Sequence, residues 1–412
     1  MDQHEIISKY QFGFRRKHST QHAAICLVNN ILSSLDSNNI VIGIFLDLKK
    51  AFDTVNHKIR LNKLYAYGIR GNMHKWFVSY LSDRTQYVVF EGRKSDVLDI
   101  KCGVPQGSIL GPLLFIIYIN DLCNISDLLF KILYADDTCV LINGQDIGKL
   151  VEILNTELEK INSWLKANKL SLNAQKTYYI VFHRAKLKIN YNAIMINNES
   201  LSEVKSVKYL GLIIDHKLKW TDHIAYTRNK ISRGIGIINK AKPFLNRKAL
   251  LDLYYAFIYP YLSYCVEVWG NTEDTHLRPL CLLQNKIIRI INFSYYKANA
   301  DTIYIYLNIL PFKKIVLHRI SLMMYKYNLN LLPKAINDLY IKNNEIHNHN
   351  TRHSNLLHVP GGTHTRNFRY KSVLIWNELA YRGFKFDVSF VVFKKSLKNY
   401  LLHNTFELRY NA

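Results

Sequence analysis

The sequence predicts an α+β fold followed by an all-α extension, and three observations carry that prediction. Apolar runs of strand length, at 40–46, 132–135, 139–142 and 178–182, crowd the first half of the chain. A long amphipathic helix is interleaved with them. In it Leu150, Leu154, Leu158, Ile161 and Leu165 recur at steps of four, four, three and four, one face of a 3.6-residue period. From Trp220 to about Leu331 the pattern is helical throughout.

Positions 1–20 are polar and basic. A helix is predicted over 20–34, where Ala24, Leu27, Val28 and Ile31 share a face. The run 40–46 is apolar without alternation and stops at Asp47, as a strand buried on both faces would. Short strands at 87–90 and 97–100 precede a Gly/Pro-rich stretch, 103–112, and 113–122 reads as a buried helix. The runs 132–135 and 139–142, joined through Asp136 and Asp137, form the pattern of a tight hairpin. Strands follow at 178–182, 193–196 and 209–214. A Gly/Asn/His-rich loop, 343–365, precedes the last helices around Trp376 and 393–402, and there are no internal repeats.

Composition narrows the function classes. The 412 residues carry 55 Lys+Arg against 31 Asp+Glu, a formal charge of +24, with 49 % apolar residues. That much apolar content builds cores and excludes a disordered basic tail. A positive surplus of this size makes nucleic acid the default partner, with an acidic membrane surface as the other polyanion. Residues 1–20 hold no apolar signal core, and the longest apolar runs, 40–46 and 113–119, fall short of the roughly 20 residues a membrane span needs. A soluble, intracellular protein is expected. The six cysteines form no C-x-x-C pair and are expected as buried thiols rather than disulfides or zinc ligands.

In a basic protein the placement of acids carries information. Asp47 ends a buried strand, and Asp136 and Asp137 stand at a hairpin tip. Adjacent ionised carboxylates repel unless they share a cation. With a third carboxylate they offer hard oxygen ligands suited to Mg²⁺. Two such ions about 3.5–4 Å apart activate a 3′-hydroxyl and stabilise a leaving pyrophosphate. The same dipeptide is also a good plain turn.

The surrounding residues resemble the sequence blocks of reverse transcriptases. Phe45-Leu46-Asp47, with Ala51-Phe52-Asp53 behind it, resembles motif A; Gly103-Val104-Pro105-Gln106-Gly107-Ser108 resembles motif B; and Tyr134-Ala135-Asp136-Asp137 resembles motif C. The stretch from Leu170 to Lys176 is similar to motif D, and Lys208-Tyr209-Leu210-Gly211-Leu212 to motif E. Gln11-Phe12-Gly13-Phe14-Arg15 is similar to the block preceding motif A in non-LTR (LINE-type) retrotransposon enzymes. The six blocks stand in order, with 59 residues from Asp47 to Gln106 and 30 from there to Asp136.

The resemblance implies an RNA-directed DNA polymerase with a right-hand palm, an antiparallel sheet with helices. Its divisions would be partial fingers over 1–40, palm over 41–215, helical thumb over 216–275 and a basic helical region over 276–412. It implies that Asp47 and Asp136 hold two Mg²⁺ ions, for which Mn²⁺ could substitute, with Asp137 as a further carboxylate. Phe52 would be the steric gate favouring deoxynucleotides, and Gln106 and Gly107 would lie at the incoming nucleotide. Lys176 would protonate the leaving pyrophosphate, and Tyr209, Leu210 and Gly211 would form the primer grip. Asp53 reads as a cap for a helix from Thr54 rather than a ligand. The implied partners are an RNA template, a DNA primer and deoxynucleoside triphosphates, and no membrane.

The positive charge lies behind these motifs. Residues 217–248 hold nine basic residues, among them Arg228, Lys230 and Arg233, against one acid, Asp222. Such a face would track duplex phosphates. Residues 276–412 add 20 basic against 6 acidic residues. His347, His349, His353, His358 and His364 have no cysteines nearby, so zinc is not expected there. Family members carry further finger blocks upstream of the Gln11 stretch, so a 5′-truncated element is expected. A non-polymerising nucleic-acid-binding remnant and a group II intron-type maturase are the alternatives.

Overall fold

The computed structural model describes residues 6–105, 107–184, 191–346, 356–361, 367–406 and 408. The chain divides into two compact units, one formed by 1–23 with 38–205 and the other by 24–37 with 206–412. Helix α1 (Thr20–Asp36) begins in the first and continues in the second.

The first unit is built on β1 (Ile40–Leu46), buried at every residue as its unbroken apolar run requires. After it come α2 (His57–Ala66) and α3 (Gly71–Leu81). Asn56 caps α2, its side chain accepting from Ile59 N at 3.1 Å, so the expected cap at Asp53 is displaced by three residues. Asn is a strong N-cap, and Asp53 lies in the turn before it. Next come β2 (Thr85–Gln86), β3 (Val89–Phe90), β4 (Arg93–Lys94) and β5 (Leu98–Asp99), paired β2 with β5 and β3 with β4, all solvent-exposed. The buried helix expected over 113–122 is α4 (Leu110–Ile119) with a 3-10 turn, Asn120–Asn124, behind it.

Then β6 (Phe130–Tyr134) and β7 (Asp137–Gly144) form the hairpin, followed by α5 (Ile147–Ala167), β8 (Tyr178–Phe182), β9 (Met195–Ile196), β10 (Glu199–Ser200) and β11 (Ser202–Glu203). Five strands make one sheet in the order β11-β8-β1-β7-β6, with β1 antiparallel to both β7 and β8. Alternate residues of β1 (Ile40, Ile42, Ile44, Leu46) enter a core shared with α4 and with the Leu150, Leu154, Leu158, Ile161, Leu165 stripe of α5. Burying each such side chain is worth about 1.5–3 kcal/mol. Asp146 starts α5 by accepting from Gly148 N and Lys149 N.

The second unit opens with a hairpin of β12 (Ser206–Tyr209) and β13 (Leu212–Asp215), where one strand was expected over 209–214. Leu210 (φ 46°) and Gly211 (φ 79°) make the turn inside what reads as a continuous apolar run. The Asp215 carboxylate then accepts from the backbone N–H groups of Lys217, Lys219 and Trp220, reversing the chain into α6 (Thr221–Ala241). The remainder is helical: α7 (Arg247–Phe257), α8 (Tyr259–Ser263), α9 (Val266–Trp269), α10 (Asp274–Ile291), α11 (Ala300–Leu307), α12 (Phe312–Asn328), α13 (Lys334–Asn337), α14 (Asn343–Ile346), α15 (Phe368–Tyr381) and α16 (Phe390–His403). Trp269 anchors this array. It is fully buried, stacks on Phe312 at 5.6 Å and donates Nε1–H to the Tyr264 carbonyl at 2.9 Å.

Among the described residues no helix is long and apolar enough to cross a membrane. Among the described residues Cys26, Cys139 and Cys265 are buried as expected, but Cys123 and Cys281 are only partly buried and Cys102 is exposed, because it follows the solvent-facing β2–β5 segment. Of the five loop histidines only His358 lies within the described residues.

Candidate active site

Strand register assembles the acidic cluster. Leu46 of β1 pairs with Thr138 of β7, so one step further Asp47 stands opposite Asp137. Tyr134 pairs with Asp137, which leaves Ala135 and Asp136 as a two-residue turn. Three carboxylates therefore gather at one end of the sheet, from residues separated by some ninety positions in sequence. Asp47 is fixed through its backbone: its N–H donates to Thr177 Oγ1 at 3.2 Å, and its carbonyl accepts from Asn173 N at 2.8 Å. Beyond Phe45 and Tyr178 the β1–β8 pairing is interrupted by a turn and resumes with Leu48 opposite Leu172. Lys176 lies in the short 3-10 turn Ala174–Lys176 and is exposed.

The turn is strained. Ala135 has φ 57°, a left-handed conformation that costs a residue with a β-carbon about 1–2 kcal/mol. Burial raises the Asp136 carboxyl above its usual range, and the nearby Asp47 charge adds to the shift. The Asp137 carboxyl is pushed up to about 6, first by burial and then by Asp136 and Asp47, although its side chain still meets solvent. Among the described residues none of the three forms an ion pair. Nor do three His, Cys, Asp or Glu side chains there converge tightly enough to enclose an ion. The arrangement is open, with carboxylates placed by backbone register and repelling one another. An all-carboxylate set under such repulsion suits a hard divalent cation and little else.

Phe52 lies beyond Asp47, half-buried and stacked on Phe115 of α4 at 4.3 Å. Phe14 approaches it edge-on at 6.2 Å. The motif B segment is tied to the same turn: Val104 N donates to Phe52 O, Gly103 N to Val55 O, and His57 Nε2 lies 2.9 Å from Gly103 O. A β-carbon on Gly103 would meet the Asp53 carbonyl at 3.0 Å, so glycine is what allows this approach. Gly107 is exposed at φ 83° with open space around it, while Gln106 lies outside the described residues.

Comparison with known proteins decides the lineage. The profile of the family described as reverse transcriptase (RNA-dependent DNA polymerase) matches residues 1–214. The chain belongs to the reverse transcriptase family. Its relatives include the RNA-directed DNA polymerase from mobile element jockey of Drosophila melanogaster, 30 % identical over 300 residues, 70 % of this chain and 32 % of that protein. They also include the probable RNA-directed DNA polymerase from transposon BS of the same fly, 29 % identical over 326 residues, 75 % of this chain and 35 % of that one. The chain thus spans about a third of the length of the curated relatives it matches, and the likeness is to non-LTR, LINE-type enzymes. Among solved structures, telomerase from Candida albicans in complex with a telomeric RNA fragment aligns over 67 % of this chain and 54 % of that one, at 13 % identity and a TM-score of 0.39. Reverse transcriptases generally use divalent metal ions.

The remaining residues implied by the reverse transcriptase resemblance lie in the second unit. Tyr209 is buried at the end of β12, and the Leu210 carbonyl accepts from the Tyr264 hydroxyl at 2.7 Å. A β-carbon on Gly211 would sit 3.2 Å from the Tyr264 ring, so the turn and that ring pack closely. On α6, Ile224, Thr227, Ile231, Ile235 and Ile238 face inward, leaving Arg228 and Arg233 exposed and Lys230 at 5.5 Å over the Tyr226 ring.

One group escaped the sequence reading. Gln11 is fully buried and its side chain reaches the carboxylate turn. The block containing it is visible as a motif, but its partner lies 124 residues away, and no local pattern announces such a contact.

Proposed function

We propose that the chain is the polymerising part of a LINE-type reverse transcriptase, extending a DNA primer on an RNA template with deoxynucleoside triphosphates. The observation that carries the reading is the gathering of Asp47, Asp136 and Asp137 at one sheet end, where burial and the neighbouring carboxylates raise the pKa of Asp136 and Asp137. When bound there, two Mg²⁺ ions would activate the primer 3′-hydroxyl and offset charge on the pyrophosphate. Mn²⁺, also an oxygen-seeking divalent ion, would replace them. The 3′-hydroxyl would give up its proton to water, its oxygen would bond to the α-phosphorus, and the bond from that phosphorus to the α–β bridging oxygen would break to release pyrophosphate. Lys176, exposed in the turn between Asn173 and Thr177, which both bond to the Asp47 backbone, would return a proton to the departing pyrophosphate. Gln106 and Gly107 would meet the incoming nucleotide.

Phe52 is the sugar gate in this reading. Its stack on Phe115 leaves the ring little freedom to swing from an added 2′-hydroxyl. Phe52→Ala should raise ribonucleotide incorporation relative to deoxynucleotide by about 10–100-fold, measured as the ratio of kcat/KM values. An unchanged ratio removes Phe52 from the role.

The second unit supplies the nucleic-acid grip: Tyr209, Leu210 and Gly211 at the primer end, and Arg228, Lys230 and Arg233 on duplex phosphates. In domain terms, 1–40 are partial fingers, 41–215 palm, 216–275 thumb and 276–412 a basic helical region. Primer extension on poly(rA)/oligo(dT) with the full chain tests the whole. Template-dependent incorporation that requires Mg²⁺ is expected. Duplex binding with a steep salt dependence but no incorporation would reduce the chain to a binding module.

A further inference from the structure

The residues that precede α1 pack against the edge of the sheet. Residues 10–12 pair with the outer edge of β6 at Leu133: Phe12 N donates to Leu133 O at 2.8 Å, Leu133 N donates to Tyr10 O at 3.0 Å, and Gln11 bridges Leu133 in parallel. The segment is closed on itself by Arg15, whose Nη1 donates to Ser8 O at 2.6 Å and to Gln11 O at 3.0 Å. Its tip meets the turn that carries Asp136 and Asp137. Gln11 Oε1 accepts from Gly13 N at 2.8 Å and from Ala135 N at 3.1 Å. A β-carbon on Gly13 would lie 2.3 Å from Ala135 N and 3.0 Å from the Tyr134 carbonyl carbon, so only a glycine fits beneath the turn.

These contacts concern the one residue in the turn that is strained. Ala135 holds a left-handed φ without being glycine, and its N–H is fixed by a side chain from outside the hairpin. Gln11 Nε2 is buried and makes no hydrogen bond among the described residues, so what the amide contributes is its oxygen. A carboxylate would accept the same two hydrogen bonds but would add a fourth negative charge beside three that already repel. A neutral acceptor is the chemistry the position calls for.

We infer that Gln11 and Gly13 are positioning residues for the metal-binding turn: they hold Ala135 in its left-handed conformation and thereby aim Asp136 and Asp137. The inference rests on the carboxylates being a metal site, as argued above. It acts through backbone geometry rather than through contact with substrate.

The test counts free Mn²⁺ by electron paramagnetic resonance against the full chain, beside steady-state primer extension. Gln11→Leu keeps the bulk and removes the acceptor, and Gly13→Ala pushes a methyl into the turn. Each should weaken Mn²⁺ binding and lower kcat by about 10–100-fold, as loss of a residue supporting a metal ligand does. KM for the nucleotide and affinity for duplex should change little. Ala135→Gly removes the strain, so the Gln11→Leu, Ala135→Gly double variant should fold as wild type and still bind Mn²⁺ more weakly than Ala135→Gly alone. Wild-type Mn²⁺ affinity in folded Gln11→Leu, or in that double variant, overturns the inference and leaves the metal site standing. Absence of Mn²⁺ binding by the wild-type chain overturns the metal site, and the inference falls with it.

Discussion

Asp136→Asn is expected to cut nucleotide incorporation on the order of 10³-fold or more while leaving the fold intact or slightly firmer. The two effects have one cause. Asp47, Asp136 and Asp137 are brought together by register, and the upward shifts at Asp136 and Asp137 record that burial and mutual repulsion disfavour their charged forms. Removing one charge relieves repulsion in the metal-free protein and should raise its melting temperature by about 1–3 °C. The same removal takes away a ligand from any divalent cation. Asp47→Asn should follow the same pattern in activity. A variant that loses activity and melts well below wild type would show the carboxylate to be structural, and retained activity would end the metal assignment. Circular dichroism melts beside primer extension separate the outcomes.

The second large effect is acid lability of the helical unit. His223 is 3 % exposed, packed among the rings of Trp220, Tyr226 and Trp269, and its Nδ1 lies 3.4 Å from Ile213 N, as the acceptor. Burial lowers its pKa to about 4. His318, 5 % exposed, is likewise lowered to about 4, by burial first and then by the charges of Lys394, Arg319 and Lys398. Both are neutral in the fold. The unfolded chain takes up these protons near the ordinary value of 6.5, and the folded chain only near 4. Between those values the unfolded state binds more protons, so stability falls as pH drops through 6.5 and levels out below about 4. Each histidine should cost about 3 kcal/mol at the acid end. Melts at pH 7 and pH 4.5 should differ strongly, and the His223→Gln, His318→Gln double variant should flatten the profile. An equal acid loss in that variant would assign the lability elsewhere.

What the sequence discloses follows the range of the interactions involved. The strand at 40–46 and the stripe of α5 depend on burial of periodic apolar side chains, and both lie where the pattern puts them. The Asp136-Asp137 hairpin is equally local. The β12–β13 hairpin is not legible as two strands, because Leu210 turns with a positive φ that leucine rarely takes and the apolar run hides the break. Asp53 misleads as a cap because Asn56, an equally good one, stands three residues on. The carboxylate cluster is recognisable through motif resemblance, but its geometry comes from pairing across the sheet. The brace at Gln11 is invisible until residues 124 apart are seen together.

That brace also bears on how the sheet edge is covered. Without residues 8–13, β6 would be an open edge with free backbone N–H and C=O groups beside the apolar Ile132 and Leu133, a template for pairing with other chains. Covering it requires closing a loop of more than a hundred residues, which is late and slow compared with forming the hairpin itself. During synthesis the covering segment emerges first and waits for its partner. Until it docks, the nascent sheet has an adhesive margin, and the same event that seals that margin completes the turn bearing the carboxylates. The same short segment thus pairs with the sheet edge and contacts the turn bearing the carboxylates.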